Sequence, residues 1–274
     1  MKERGKAIVV GWDFSENSEL ALDHALYYAF KTNMKLYLVH IIKRGSDMED
    51  VKFNMQKIVD RVYENKGKHI EIIIRRGRVS RGLKAVAKEV SAVVVFIGTQ
   101  KVKGIQNYTG SKALKMIMRS SVPFVTVQAP REKHSRYSLV CPIDFRKECK
   151  EILYWVAYLA HIFDAEITLV YPKYRAQVRV KRTLANVNFS KKYLNNYKIK
   201  YEEVQLNSRR FNDAIVAYAK KKQADLILTI TNRRAKVQDF FSASKIQYLI
   251  ANKEKISVFC VNPTKSLWKY GAFK

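Results

Sequence analysis

The chain repeats itself, and the repeat limits its possible folds more than any other feature. The segment AIVVGWDFSENSELALDHALYYAFKTNMKLYLVHI (7–41) aligns with SLVCPIDFRKECKEILYWVAYLAHIFDAEITLVYP (138–172) at an offset of 131. Asp13-Phe14 falls on Asp144-Phe145, Ala29 on Ala160, and Leu38-Val39 on Leu169-Val170. Further on, VSRGLKAVAKEVSAVVVFIG (79–98) matches FNDAIVAYAKKKQADLILTI (211–230) at an offset of 132, and SVPFVTV (121–127) matches ISVFCVN (256–262) less closely. The 274 residues therefore divide into two copies of one unit, joined by the polar linker APREKHSR (129–136). The expected domains are residues 1–132 and 133–264, with 265–274 as a C-terminal tail.

Within the first copy, five short apolar runs stand out: AIVVGW (7–12), LYLVHII (36–42), IEIII (70–74), AVVVFI (92–97) and PFVTV (123–127). Runs rich in β-branched residues suit strands buried on both faces. Between them lie amphipathic stretches. SENSELALDHALYYAFKT opens with Ser15, an N-cap residue type, and places Leu20, Ala21, Ala25, Tyr28 and Ala29 at helical spacing. Alternating β and α elements imply an α/β fold: two Rossmann-like domains, each a five-stranded, mainly parallel sheet with helices on both faces.

Ligands of such sheets bind at the carboxyl ends of the strands, where the strand order reverses. Asp13 ends the first strand and precedes a helix. A carboxylate there accepts hydrogen bonds from a ribose or an adenine amine, or else caps the helix. After the fourth strand comes IGTQKVKGIQNYTGSKALKMI (97–117), with Gly98, Gly104 and Gly110 in a chain of only ten glycines. Gly110-Ser111 stands where the helix SKALKMIMRS begins, and free N–H groups at a helix start make an anion site. A glycine-rich loop alone is a weak signal, because ordinary turns carry glycines too.

The opening IVVGWDFSENSELALDHALYYA, the fourth strand VSAVVVFIGTQ and the close TGSKALKMIMRSSVPFVTV resemble the universal stress protein family, over nearly all of residues 5–263, in a tandem two-domain arrangement. The resemblance implies an adenine nucleotide, ATP or a relative, held by an aspartate ending the first strand, by backbone after the second, and by a loop Gly-x2-Gly-x9-Gly-Ser/Thr. Carried over, these positions are Asp13, His40 and Ile41, Gly98, and Gly110-Ser111. The loop departs from the family pattern. Lys101 stands at the second glycine, Gly104 is displaced, and the spacing from Gly98 to Gly110 is one residue short. In the second copy Asp144 is retained, while Ile230 and Ala243 replace the glycines before Ser244, so the nucleotide is expected in the first domain only. The resemblance also implies that the apolar last strands, PFVTV and SVFCV, form a pairing surface, giving an intramolecular pseudo-dimer and leaving a further homodimer open.

Against this frame, 52 Lys+Arg and 24 Asp+Glu give a net charge of +28. Such a field attracts polyanions, but lysines such as Lys84, Lys88, Lys112 and Lys115 also sit singly among polar helix positions, as on any solvated surface. The segment 171–201 interleaves Lys173, Arg175, Arg179, Lys181, Arg182, Lys191 and Lys192 with Tyr174, Tyr193 and Tyr197, a mixture suited to nucleic acid or to an amphipathic helix packed on the sheet. No apolar stretch reaches membrane-spanning length, and Cys141, Cys149 and Cys260 form no CxxC pair, so a cytoplasmic protein with reduced thiols and no membrane insertion is expected. The five histidines show no metal-ligand spacing, and no nucleophile-and-base signature is present. The expectation is a stress or regulatory module responsive to nucleotide, with no catalytic residue, no metal and at most weak ATP hydrolysis, serving an unknown protein partner. The alternative is an adaptor that binds polyanions or proteins and no nucleotide.

Overall fold

The structure is a computed structural model and describes residues 7–42, 45, 47–99, 114, 116–118, 120–132, 136–207, 209–231 and 246–263. Contacts divide the chain into two units, Met1–Arg131 and Glu132–Lys274.

Unit 1 contains strands β1 (Ala7–Trp12), β2 (Lys35–Ile42), β3 (Ile70–Arg76), β4 (Ala92–Gly98) and β5 (Phe124–Val127). Each follows one of the five apolar runs to within two residues at either end. The order is β3-β2-β1-β4-β5 and every pairing is parallel. Helices α1 (Glu16–Thr32), α2 (Met48–Lys66) and α3 (Val79–Glu89) supply the crossovers. The central strands are apolar throughout because helices cover both faces: Val9, Val10, Val95 and Phe96 are all completely buried. Full burial of each such side chain contributes about 1.5–3 kcal/mol relative to exposure.

Helix α1 begins where Ser15 accepts the Ser18 N–H, carries Glu16 and Glu19 against the positive end of the helix dipole, and stops at Asn33, whose φ of 52° is left-handed. It buries Ala21, Ala25, Tyr28 and Ala29, the apolar face that its spacing predicts. Glu19 pairs with Arg61 at 2.6 Å and Asp23 with Lys66, both from α2. These pairs are half-exposed and each contributes less than about 1 kcal/mol.

His24 on α1 is buried and donates Nε2–H to the Ala129 carbonyl at 3.1 Å, tying the helix to the chain leaving β5. Burial pushes this imidazole below its ordinary pKa of 6.5, against a weaker upward pull from that carbonyl. The unfolded chain then binds the proton better, so the stability from neutral His24 is complete above the unfolded pKa and is lost as pH falls toward the folded one. Urea midpoints taken from about pH 7.5 down to about pH 5 should fall less in His24→Gln than in the parent; parallel curves would refute the assignment.

Unit 2 repeats the plan. Its strands are β6 (Ser138–Pro142), β7 (Glu166–Lys173), β8 (Tyr201–Asn207), β9 (Leu226–Ile230) and β10 (Ser257–Val261). They run in the order β8-β7-β6-β9-β10, again with parallel pairs. Helices α4 (Leu153–Phe163), α5 (Gln177–Asn196) and α6 (Phe211–Lys221) connect them. A 3-10 turn, Lys147–Ile152, precedes α4. This turn is where the repeats diverge. Ser15, the cap of α1, corresponds to Arg146, which cannot cap, and the segment opens without a side-chain cap bond. The three cysteines are free and buried; burial pushes the Cys149 thiol up to about 12 and raises Cys141 and Cys260 as well, so all three stay protonated as core residues. No described helix is long and apolar enough to cross a membrane, and the described residues contain no group of three or more His, Cys, Asp or Glu placed to hold a metal ion.

Candidate functional site

In each unit the strand order reverses at the central strand, β1 or β6, so the crevice between that strand and its neighbour β4 or β9 is where a ligand would be met. The structure brings four of the sequence-predicted residues to the unit 1 crevice. Asp13 directly follows β1 and is half-buried. Its Oδ1 accepts both the Ser15 backbone N–H at 3.1 Å and the Ser15 hydroxyl at 2.5 Å, while Ser15 in turn caps α1. Asp13 thus braces the helix cap, and Oδ2 stays outside this pair of bonds. Phe14 adopts a left-handed φ of 61°, is 45% exposed, and sets its ring edge-on to His40 at 5.1 Å. The His40 ring donates Nδ1–H to the Trp12 carbonyl at 2.7 Å, which ties the ends of β1 and β2 together.

Ile41 turns into the fold. Its side chain lies against Gly82 of α3, where an added Cβ would come within 2.5 Å of Ile41 Cδ1. Gly98, at the end of β4, meets backbone: a Cβ there would lie 2.3 Å from both the carbonyl carbon and oxygen of Asn17 in the first turn of α1. Among the described residues, the space between Gly11, Val39, Ile41, Leu83 and Ile97 amounts to about 10 Å3, room for about one water. Two buried polar atoms at the ends of these strands, Trp12 Nε1 and Thr99 Oγ1, have no hydrogen-bond partner among the described residues. Lys101, Gly110 and Ser111, together with Gly104, lie outside the described residues.

Among the described residues, the corresponding end of unit 2 holds a wider space. A cleft of about 640 Å3 is bounded by Asp144, the turn after β7, the start of α6 and the end of β9. Asp144 is engaged within its own turn: Arg146 donates its backbone N–H to Oδ1 at 2.9 Å and Nε to Oδ2 at 2.7 Å. Asn186 of α5 is buried and donates to the carbonyls of Asp144 at 2.7 Å and Arg146 at 3.0 Å, holding the turn in shape. Arg179 sits over the rings of Phe145 at 5.2 Å and Tyr174 at 5.7 Å. Burial raises the Tyr174 pKa, with a further contribution from Asp144, and a hydrogen bond to Asp213 raises that of Tyr248; both hydroxyls keep their protons.

Sequence reasoning missed this arginine-lined cleft. Ala243 and Ser244 lie outside the described residues. The signal was available in the repeat: Ser15 aligns with Arg146, and Gly77-Arg78 with Arg209-Arg210. Of the tyrosines named in 171–201, Tyr174 packs on Phe145, and Tyr193 and Tyr197 lie 4.9 Å apart, while Lys191 pairs with Glu203.

The model of the Universal stress protein family matches residues 5–128. A universal stress protein from Archaeoglobus fulgidus matches with a TM-score of 0.76 at 14% identity, over 96% of this chain and 100% of that one. A putative universal stress protein from Pseudomonas aeruginosa matches with a TM-score of 0.65 at 11% identity, over 97% of this chain and 96% of that one. At these identities the likeness concerns the fold. A shorter structure, the universal stress protein from Archaeoglobus fulgidus in complex with dAMP, covers 47% of this chain and 100% of its own, at 20% identity and a TM-score of 0.37. Among the curated proteins, none matches the sequence.

Proposed function

We propose, on the match of the universal stress protein family model to residues 5–128, that the protein is a universal stress protein and a non-catalytic module that responds to an adenine nucleotide bound at the carboxyl end of the unit 1 sheet. The observation that carries this reading is the position of Asp13: a half-buried carboxylate at the reversal point of the strand order, held by Ser15 through one oxygen only. The second oxygen is the acceptor for a ribose hydroxyl or an adenine amine. Trp12 Nε1 and Thr99 Oγ1, buried at the same strand ends and without partners among the described residues, are donors and acceptors that a ligand would satisfy. The space enclosed behind the rim is far too small for a nucleoside, so the nucleotide lies across the rim, over Phe14 and His40. Lys101, Gly110 and Ser111 would reach its phosphates.

No step of covalent chemistry follows from these residues. The His40 Nδ1–H is committed to the Trp12 carbonyl, and the Ser15 hydroxyl is committed to Asp13 Oδ1 while it caps α1. The module therefore acts by being occupied or empty, signalling to a protein partner in the cytoplasm, and any ATP turnover is slow.

Calorimetric titration of the full chain with ATP tests the reading. One site is expected, and Asp13→Ala should lose at least about 1 kcal/mol, the contribution of a hydrogen bond to a charged group. Asp144→Ala should change little. Two equal sites, or undiminished binding by Asp13→Ala, would overturn the assignment.

A further inference from the structure

We propose that the cleft at the carboxyl end of the unit 2 sheet binds a small organic phosphate monoester, a ligand chemically different from that of unit 1. The inference stands independently of the nucleotide reading. It starts from charge. Arg146, Arg179, Arg209 and Arg210 line the cleft against two carboxylates, Asp144 and Asp213. Arg146 holds Asp144 through two hydrogen bonds, and Arg210 stands 3.9 Å from Asp213. Among the described residues, Arg179 and Arg209 have no carboxylate beside them in the cleft, so that lining keeps two positive charges. Like charges facing one space repel, and a dianion relieves that repulsion.

Geometry narrows the anion to a phosphate ester. The guanidinium of Arg179 is fixed on the faces of Phe145 and Tyr174, so it is oriented before a ligand arrives and loses little freedom on binding. A planar fork of this kind matches two oxygens of one phosphate. Arg209 and Arg210 immediately precede α6, an eleven-residue helix with no side chain capping its N-terminus, and Phe211, Asn212 and Asp213 of its first turn line the same cleft. The uncapped turn adds the positive end of the helix dipole to the two guanidinium groups. The remaining wall is mixed: Asn212, Thr229 and Tyr248 are interspersed with Phe211, Ile215, Ile230, Ile246 and Leu249, which offer an apolar surface for the organic part of the ligand. A volume of about 640 Å3 is in the usual range for small-molecule sites, about 300–1,000 Å3. Asp144 differs from Asp13 of unit 1 in that each of its oxygens accepts a bond from Arg146, so its charge is offset within its own turn. The cleft thus selects by phosphate and apolar surface.

The test is calorimetry on the full chain in about 0.15 M salt, where long-range attraction is screened, with phenyl phosphate, inorganic phosphate and phenol as probes. Phenyl phosphate should bind at one site and more tightly than inorganic phosphate, and phenol should not bind. Arg179→Gln with Arg209→Gln should weaken phenyl phosphate by about tenfold or more. Lys181→Gln with Arg182→Gln removes the same charge from α5 outside the cleft and should leave the affinity unchanged, as should Asp13→Ala. All four exchanged basic residues are exposed, so melting curves should stay at the parent value. Absence of phenyl phosphate binding, or equal weakening by the two double variants, would overturn the proposal.

Discussion

Gly98→Val should cost the protein about 3 kcal/mol or more, enough to move its urea midpoint far below that of the parent. The reason is the 2.3 Å separation between a Cβ at this position and the carbonyl of Asn17. The obstacle is backbone in the first turn of α1, and it cannot rotate aside. Relief would require α1 to lift from the end of β4, dragging the Ser15 cap and the Asp13 brace with it. Gly82→Ala is the contrasting case. Its Cβ would meet only the mobile tip of Ile41, at 2.5 Å, and alanine gains about 1 kcal/mol over glycine inside a helix. The two effects oppose each other, so Gly82→Ala should stay within about 1 kcal/mol of the parent. Equal losses at the two positions would show that the tight approach of α1 to β4 has been misjudged. A further consequence concerns ligand tests. Lost nucleotide binding in a Gly98 variant would report a displaced helix, which is why Asp13 is the position to change.

The strands were legible because their cause is local. Runs such as AVVVFI and AIVVGW are apolar and β-branched on both faces, and only strands covered by helices on both sides bury them so completely. The cap at Ser15 was legible for the same reason: a serine hydroxyl reaches the N–H three residues on without help from the rest of the chain. The repeat then carried the reading from one unit to the next. What was not legible depended on residues distant in sequence. Gly98 matched a loop glycine by its place in the motif, but its tight contact is with Asn17, more than eighty residues earlier. The near-closure of the unit 1 crevice results from how Ile41 and Leu83 pack, which no periodicity encodes. The unit 2 cleft draws arginines from the turn after β6, from α5 and from the entry to α6. Only the strand order places those segments side by side. Arg179 was visible as one charge among many in a basic segment. Its fixed position on two aromatic rings was not.

Asn186→Ala should cost unit 2 about 1–3 kcal/mol in urea unfolding. Asn186 is 6% exposed, and its one amide nitrogen serves two carbonyls, those of Asp144 and Arg146. Removing it takes one donor from each acceptor in a part-buried turn that has no helix cap of its own, because Arg146 replaces the serine of the first repeat, and leaves only the Cys149 N–H on the Arg146 carbonyl at 3.3 Å and the weak Cys149 Sγ donor on the Asp144 carbonyl at 3.5 Å. Each hydrogen bond lost costs about 0.5–1.5 kcal/mol net. Asn188→Ala, two residues along the same helix and exposed, makes the identical exchange of helix propensity and should stay within about 0.5 kcal/mol. The difference between the two variants therefore isolates the buried amide. Loss of these bonds also frees Asp144 and Arg146 to separate, so phenyl phosphate affinity should fall in Asn186→Ala even where the protein remains folded. If stability falls while that affinity holds, the turn is a structural support alone, and the positive lining of the cleft does not depend on Asp144 being held by Arg146.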